Sequence, residues 1–269
     1  MSRALATCKV AKPWGRDVLP APFVAPAAER IGEIWFEPPP ELPQLLVKYI
    51  FTSEALSIQV HPSDSQTQEK GLGRQGKEEC WLIVDAEPGA KLGIGFKAHV
   101  DPDRMRKAAL NGSIEELLDW HAVAPGDFFY IPANTVHAIG AGVSLIEVQQ
   151  NSDLTYRLYD YGRPRELHLN DGMAVAKGEP YPASCKSKAP AGGSATLVEG
   201  PLFRLDQVAG VPDQNTAARY AGALLVIPRE GRVHVAGEEI APGGCAVADR
   251  LAEVAFDSSG LCLLAAPCT

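Results

Sequence analysis

Leu56-Ser57-Ile58-Gln59-Val60-His61-Pro62 is the stretch that decides the fold class. Apolar and polar residues alternate along it, which is typical of a β-strand with one face toward the protein interior. Successive side chains of a strand point to opposite faces, so Ser57, Gln59 and His61 should share one face. The amide oxygen of Gln59 and the imidazole of His61 are therefore two potential metal ligands on the same side of one strand.

Two further potential ligands follow later in the chain. Glu79 lies in the run Gly76-Lys77-Glu78-Glu79-Cys80-Trp81, and His137 follows a proline-containing turn. Together with Gln59 and His61 they make a set of two imidazoles, one carboxylate and one amide oxygen. Imidazole and carboxylate suit zinc, whereas an amide oxygen is a weaker, harder ligand that could also admit other divalent ions. The hypothesis is a metal site on these four residues.

Short strands separated by turns account for most of the first 150 residues. The runs that are apolar or β-branched are 45–60, 80–84, 128–131 and 144–149. This pattern is typical of an all-β barrel or sandwich. Residues 101–120 are an exception, because their apolar residues recur at near-helical spacing with a break at Asn111-Gly112-Ser113. We therefore expect a mainly β fold with a small helical insertion near 101–120.

A segment of small, polar and helix-breaking residues at 183–196 predicts a linker. It divides the chain into a metal-binding catalytic domain at 1–182 and a second domain at 197–269. The second domain repeats the strand and Pro-Gly turn rhythm of the first, at Ala241-Pro242-Gly243-Gly244 for example, but brings no ligand pair with it. We expect it to be a degenerate copy of the same β domain.

Composition and charge exclude several classes of partner. The net charge of −8, without a stretch dense in Lys and Arg, argues against a nucleic-acid partner. No apolar run approaches the roughly 18 residues that span a bilayer, and residues 1–10 lack the apolar core of a signal peptide. The six cysteines form no C-x-x-C pair and are interpreted as reduced thiols. We expect a cytoplasmic protein with a small-molecule substrate and no membrane partner, while the oligomeric state stays open.

Several blocks of sequence resemble one enzyme family and occur in its order. The main blocks are 56–64, 76–81, 126–137 and 149–161, and the segments 12–15 and 32–35 are similar to the family's opening. The family is that of the type I mannose-6-phosphate isomerases, in the short bacterial form, and the resemblance covers roughly residues 10 to 170. It implies a cupin-type double β-barrel, or bicupin, with one zinc ion per chain on Gln59, His61, Glu79 and His137. Asn134 stands where glycine is customary, and asparagine also tolerates a left-handed turn.

The resemblance also implies roles around a sugar phosphate. Arg157 falls where the family carries its catalytic arginine, and Ser57, Lys48 and Lys77 fall on positions used around the substrate and its phosphate. Arg74, in the glycine-rich run 71–76, is a further candidate phosphate contact.

The implied reaction interconverts mannose 6-phosphate and fructose 6-phosphate through a cis-enediol. A divalent ion would stabilise the negative charge that develops when a proton moves between C1 and C2. Glu147, Lys77 and a metal-bound water are the candidates for moving that proton, whereas Arg157 stays protonated and suits charge stabilisation.

Two alternatives remain open at this stage. An iron-dependent cupin oxygenase could use the same scaffold, but Gln59 counts against it because oxygenase sites are rich in imidazole. A non-catalytic sugar-binding cupin is the other alternative, and Arg157 and Lys77 count against that one.

Overall fold

A computed structural model of the chain describes residues 1–268 and is mainly β. The strands, in chain order, are β1 (Arg3–Ala4), β2 (Thr7–Arg16), β3 (Ile31–Phe36), β4 (Leu45–Phe51), β5 (Ile58–Val60), β6 (Glu79–Ala86), β7 (Lys91–Phe96), β8 (Leu118–Ala122), β9 (Asp127–Ile131), β10 (His137–Ile139), β11 (Val143–Gln150), β12 (Tyr156–Tyr159), β13 (Lys186–Lys188), β14 (Ala195–Glu199), β15 (Phe203–Ala209), β16 (Leu224–Glu230), β17 (Val233–Val235), β18 (Glu238–Ile240), β19 (Ala246–Ala248), β20 (Val254–Phe256) and β21 (Leu261–Pro267). The helices are α1 (Asp64–Glu69), α2 (Pro102–Asn111), α3 (Ile114–Leu117), α4 (Leu169–Val175) and α5 (Gln214–Arg219), with 3₁₀ turns at Ala183–Cys185 and Leu251–Glu253.

The strands form four antiparallel sheets. In the first half of the chain a seven-stranded sheet has the order β13-β9-β6-β11-β4-β3-β2, and a five-stranded sheet has the order β12-β5-β10-β7-β8. In the second half a six-stranded sheet has the order β1-β19-β16-β21-β15-β14, and a three-stranded sheet has the order β18-β17-β20. The mainly β class with a small helical insertion is therefore confirmed.

The central strands of the seven-stranded sheet, such as β4 and β11, are buried on both faces, and the two faces have different neighbours. One face packs toward the five-stranded sheet, so that Trp81, Ile83 and Leu145 share a buried cluster with Leu92 and Ile94. The opposite face belongs to a larger cluster that also includes residues of the six-stranded sheet, among them Phe203, Leu205 and Leu263. Strands buried on both faces lose the simple polar alternation of a surface strand, which explains the nearly continuous apolar runs.

The helical insertion covers part of the predicted segment. Helix α2 begins after Asp101, whose carboxylate accepts from the Arg104 backbone N–H, and it ends at Gly112 with a left-handed φ of 85°. Helix α3 ends at Leu117, and the next residues form β8 in the five-stranded sheet, so the helical prediction for 118–120 is wrong. The strand prevails because Leu118 is fully buried against the apolar cluster beneath that sheet.

The segment predicted as a linker carries its own local structure. Residues 183–185 form a 3₁₀ turn, and β13 pairs with β9 through Lys186 and Phe129. The division of the chain into domains at this point stays a prediction. Among residues 1–268, no helix is long and apolar enough to cross a membrane.

Candidate metal centre and active site

Strand β5 places the first pair of predicted ligands. Ile58 and Val60 are fully buried in the cluster beneath the five-stranded sheet, so Gln59 projects from the other face. The Ser57 hydroxyl donates to Gln59 Oε1 at 3.1 Å, as expected for side chains on one face. Gln59 pairs in register with His137 of β10 and with Arg157 of β12. Neighbouring strands therefore bring three of the predicted site residues into one row.

His61, Glu79 and His137 form a compact buried cluster. Their potential ligand atoms all lie within 4.8 Å of one another, and each side chain is at most 2% exposed. His61 Nε2 is 3.6 Å from Glu79 Oε2, and His137 Nε2 is 3.4 Å from Glu79 Oε1. Glu79 comes from β6 of the seven-stranded sheet and the histidines from the facing side, so the cluster joins the two sheets.

Backbone carbonyls fix the tautomers of both histidines. His61 Nδ1 lies 2.8 Å from the Leu154 carbonyl oxygen, and His137 Nδ1 lies 2.9 Å from that of Thr135. A carbonyl oxygen only accepts, so each Nδ1 must carry the proton and donate it, which leaves Nε2 unprotonated. Each Nε2 lone pair has a nitrogen donor nearby, Lys77 Nζ at 3.2 Å from His61 and Gln59 Nε2 at 3.3 Å from His137. Both Nε2 atoms face Glu79, which is the arrangement required of metal-ligating imidazoles.

Burial keeps these imidazoles neutral. It lowers the pKa of His61 to about 4, with a smaller contribution from the Lys77 ammonium. Burial also lowers the pKa of His137. Loss of hydration disfavours the charged form of each ring, and a neutral ring is the form that binds a metal ion.

Glu79 is a buried carboxylate with unused hydrogen-bonding capacity. Neither of its oxygens has a hydrogen bond of acceptable geometry within residues 1–268, although Lys77 Nζ lies only 2.6 Å from Oε2. Burial by itself would raise the pKa of Glu79, but Lys77, His61 and His137 together outweigh it and lower that pKa well below its usual range. The site therefore holds an ionised carboxylate whose lone pairs need partners.

The donor set fits a divalent cation. Ligands about 2.1 Å from a tetrahedral ion lie roughly 3.4 Å apart, and the two histidine–carboxylate separations agree with this value. Gln59 Nε2 lies 3.3 Å from His137 Nε2. Rotation of this amide by 180° exchanges its nitrogen and oxygen, so the oxygen can take the fourth position with little change in packing. Gln59, His61, Glu79 and His137 together could hold one ion.

The turn before His137 is tied to the loop after His61. Asn134 has a left-handed φ of 72°, as its place in the sequence predicts. Its backbone N–H donates to the His61 carbonyl at 2.8 Å, and its side-chain amide donates to Gln66 Oε1 at 2.7 Å. Gln66 in turn completes a capping box with Ser63 at the start of α1. These bonds hold the two histidine-bearing segments together.

A cavity of about 530 Å³ adjoins the cluster, because Gln59 and Lys77 border both. Its lining mixes charged, polar and aromatic side chains: Lys12, Trp14, Glu33, Trp35, Leu46, Lys48, Ile50, Leu56, Ser57, Gln59, Lys77, Trp81, Ile139, Glu147, Asn151, Ser152, Asp153, Thr155, Arg157 and Arg165. This volume suits a small ligand with several polar groups.

One row of side chains crosses the seven-stranded sheet beneath this cavity. In register, Trp35 pairs with Lys48, Lys48 with Glu147, and Glu147 with Trp81. The Trp81 indole donates to Glu147 Oε2 at 2.9 Å, and Lys48 Nζ lies 3.3 Å from Oε1. Lys48 Nζ also lies 4.7 Å from the centre of the Trp35 ring. Glu147 is thus a buried carboxylate held from two sides next to the cavity.

All but one of the predicted catalytic and substrate-binding residues line the cavity. Ser57, Lys48, Lys77, Glu147 and Arg157 are all among its lining residues. Lys77 reaches the cluster although it lies two residues before β6, which begins at Glu79. Burial by itself would lower the pKa of Lys77, but Glu79 and Glu147 outweigh it and raise that pKa.

Arg74 is not part of this group. Its side chain is exposed and does not border the cavity, so the structure does not support the predicted phosphate contact. The glycine-rich run turns away after α1, and the Arg74 carbonyl accepts from the Gln68 side chain at 2.9 Å.

Four charged residues of the cavity were not among the predicted site residues: Lys12, Glu33, Asp153 and Arg165. Lys12 Nζ lies 3.5 Å from Glu33, which shares a strand face with Trp35. The spacing of Glu33 and Trp35 on β3 was a usable signal, whereas nothing in the local pattern marks Arg165.

Comparison with known proteins identifies relatives. No protein-family model matches the chain. The mannose-6-phosphate isomerase of Streptococcus mutans serotype c is 35% identical over 207 residues, which are 73% of this chain and 65% of that protein. The mannose-6-phosphate isomerase ManA of Bacillus subtilis is 44% identical over 137 residues, 49% of this chain and 43% of that protein. The matched part thus spans from under half to about two thirds of the length of these relatives.

The fold gives an independent comparison. The crystal structure of a mannose 6-phosphate isomerase from Bacillus subtilis superimposes with a TM-score of 0.79 and 24% identity, covering 98% of this chain and 99% of that one. This agreement concerns the fold and confirms the predicted cupin-type architecture. The matched relatives give no support to an oxygenase or to a non-catalytic cupin. The sequence identities and the shared fold together show that this chain is a homologue of the mannose-6-phosphate isomerases, the family that its sequence resembles.

Proposed function

We propose that the chain is a metal-dependent aldose–ketose isomerase that interconverts mannose 6-phosphate and fructose 6-phosphate through a cis-enediol. The observation that carries this proposal is the buried cluster of His61, Glu79 and His137 beside a cavity that Lys77 and Arg157 line. The sequence relatives named mannose-6-phosphate isomerase support the substrate and the reaction.

Zinc is the proposed metal, one ion per chain, on Gln59, His61, Glu79 and His137. Two neutral imidazoles and an ionised carboxylate are donors that zinc prefers. When bound, the ion would supply positive charge next to the substrate oxygens where negative charge develops. The remaining chemistry falls to the side chains of the cavity.

Glu147 and Lys77 are the proposed proton-transfer groups. The cis-enediol path requires one group to take a proton from C2 of the aldose and to return it at C1, on the same face of the sugar. Glu147 is buried and held by Trp81 and Lys48, and Lys77 is buried beside Glu79. Both line the cavity and can therefore reach a bound sugar.

Arg157 is proposed to stabilise the charge of the enediolate. It projects from β12 next to Gln59 and has no carboxylate within 4.0 Å among residues 1–268. Its guanidinium is therefore free to bind an anionic oxygen of the substrate. Ser57 and Lys48 are proposed to bind the sugar hydroxyls, since both border the cavity beside these groups.

A cytoplasmic location is proposed from the cysteines. All six are free, and three of them are buried. Free thiols persist in a reducing compartment.

A coupled assay tests the proposed function. Purified protein reconstituted with zinc should convert mannose 6-phosphate to fructose 6-phosphate, and Arg157→Ala should lower kcat about 100- to 1000-fold, as for the loss of one donor to a developing oxyanion. Arg104→Ala serves as the control, because Arg104 is exposed on α2, away from the cavity. Absence of turnover in the zinc-loaded protein, or stoichiometric iron with oxygen uptake, would refute the proposal.

A further inference from the structure

The positive charges around the cavity are unevenly compensated. Each lysine that lines it lies close to a carboxylate: Lys12 is 3.5 Å from Glu33, Lys48 is 3.3 Å from Glu147, and Lys77 is 2.6 Å from Glu79. Each of these pairs has little net charge at a distance. The part of the cavity that these three lysines line is therefore poorly suited to a dianion, which needs uncompensated positive charge.

The arginine-lined wall has a surplus of positive charge. Arg157 has no carboxylate within 4.0 Å among residues 1–268, and Arg165 shares its only one, Asp160, with Arg163. Burial lowers the pKa of Arg157, and the charge of nearby Arg165 lowers it further. Asp153 also lines this wall, but it is exposed, so water screens its charge. The cavity lining thus brings two guanidinium groups, those of Arg157 and Arg165, near one buried carboxylate, whereas Arg163 lies outside the lining and has a second partner in Glu54.

Asp160 holds Arg165 in a defined position. It is 2% exposed and accepts from Arg165 Nε at 2.6 Å and from Nη2 at 2.7 Å. This bidentate pair fixes the plane of the guanidinium. It leaves Nη1 without a hydrogen-bond partner in the described chain, so one end of Arg165 remains available to a ligand in the cavity.

We propose that Arg165 is the residue that selects phosphorylated sugars by binding the substrate phosphate, and that Asp160 is its positioning residue. The identity of the sugar phosphate rests on the proposed function. Planar guanidinium groups match phosphate oxygens in geometry as well as in charge. Ser152 and Thr155 border the same wall and add neutral donors.

Kinetics of Arg165 variants test this inference. Arg165→Gln should raise KM for mannose 6-phosphate about 10- to 100-fold, the value of one hydrogen bond to a charged group, with kcat changed less than about threefold. Arg165→Lys keeps the charge and loses the planar fork, so its KM should lie between those of the wild type and Arg165→Gln. Arg163→Gln is the matched control, because Arg163 pairs with the same Asp160 but does not line the cavity. Its KM should stay within about threefold of the wild type.

A double variant tests the positioning role of Asp160. Asp160→Asn should raise KM, and adding it to Arg165→Gln should raise KM no further, since it would act only through Arg165. Additive effects of the two substitutions would show that Asp160 acts independently and would overturn its assignment.

Calorimetric titration with inorganic phosphate separates the two proposals. Phosphate binding that Arg165→Gln weakens at least tenfold supports the inference even if the wild type shows no isomerase activity, in which case only the proposed function fails. An active wild type whose KM and phosphate affinity are unchanged in both Arg165 variants overturns the inference and leaves the function standing. Circular dichroism of each variant guards against effects of misfolding.

Discussion

Trp81 should support catalysis by holding the Glu147 carboxylate in position. The indole is fully buried, and its Nε1–H donates to Glu147 Oε2 at 2.9 Å. Within residues 1–268 this is the one hydrogen bond of good geometry that the Glu147 carboxylate makes, because Oε1 has only the Lys48 ammonium nearby, at 3.3 Å. Trp81→Phe removes the donor and keeps an aromatic ring in its place.

The size of the effect follows from this single bond. A hydrogen bond to a charged group contributes about 1.5–3 kcal/mol. If Glu147 moves the proton, losing its fixed position should lower kcat by about 10- to 100-fold, since each 1.36 kcal/mol is tenfold in rate. KM for mannose 6-phosphate should change little, because the ring that borders the cavity is kept. Zinc content should also be unchanged, because Trp81 is not a ligand.

Steady-state kinetics and elemental analysis measure these quantities. Trp120→Phe is the matched control, since Trp120 Nε1 donates at the same 2.9 Å to the Glu115 carbonyl, outside the cavity. In a Glu147→Gln background, Trp81→Phe should lower kcat little further, because the side chain at position 147, which Trp81 positions, has already lost its charge. If Trp81→Phe and Trp120→Phe have kcat values within twofold of each other, the positioning of Glu147 by Trp81 is refuted.

Three other predictions concern the metal and the stability of its surroundings. His61→Ala should abolish both tight zinc binding and turnover, whereas His121→Ala should keep both; zinc retained in His61→Ala removes that residue from the ligand set. In metal-free protein the pKa of His61 is lowered to about 4, so the unfolded chain gains a proton near pH 6.5 that the folded chain does not. The free energy of unfolding should therefore fall as pH drops from 6.5 toward 4, by up to about 3 kcal/mol. In urea unfolding, His61→Gln lacks this titration, so its unfolding free energy should depend less on pH. If the unfolding free energies of both proteins change equally with pH, His61 is not the group responsible. Asn134→Ala should lower the free energy of unfolding by about 2–3 kcal/mol, because alanine is strained in the left-handed conformation and the hydrogen bond to Gln66 is lost. Asn134→Gly should lower it by less, because glycine adopts that conformation without strain. Equal losses for the two variants in denaturant titrations would show that the backbone angle is not the cause.

Strand parity explains what the sequence could predict of the site. The alternation around Gln59 and His61 requires only local geometry, and the structure shows Ser57 bonded to Gln59 on that face. The row of Gln59, His137 and Arg157 depends instead on which strands pair and in what register. Register is set by distant turns and by burial, so no local pattern contains it. That Gln59, His137 and Arg157 belong to one site was therefore predicted from the family resemblance.

Loop residues show where sequence reasoning fails. Arg74 was predicted to lie on a flexible loop at the rim of the site, and the structure shows it exposed and outside the cavity lining. Arg165 follows β12 in an irregular segment, and only the buried carboxylate of Asp160 directs it to the cavity. Ser113 is followed by Glu116, a spacing that suits a capping box, but its backbone is helical and it forms none, whereas Ser63 has an extended backbone and forms one with Gln66. The side-chain pattern alone does not predict a helix cap, because the backbone angles of the capping residue determine whether it forms.

The shared core between the two halves of the chain bears on the site itself. On β4, Lys48 borders the cavity, while its neighbours Val47 and Tyr49 point to the opposite face. That face is covered by the cluster that includes Phe203 and Leu263 from the six-stranded sheet. Burying each such side chain stabilises the fold by roughly 1.5–3 kcal/mol. Among residues 1–268, the second half of the chain contributes no side chain to the cluster of His61, Glu79 and His137, but it packs against the sheet that positions Lys48. The composition break at 183–196 therefore separates two segments of sequence whose side chains share one core.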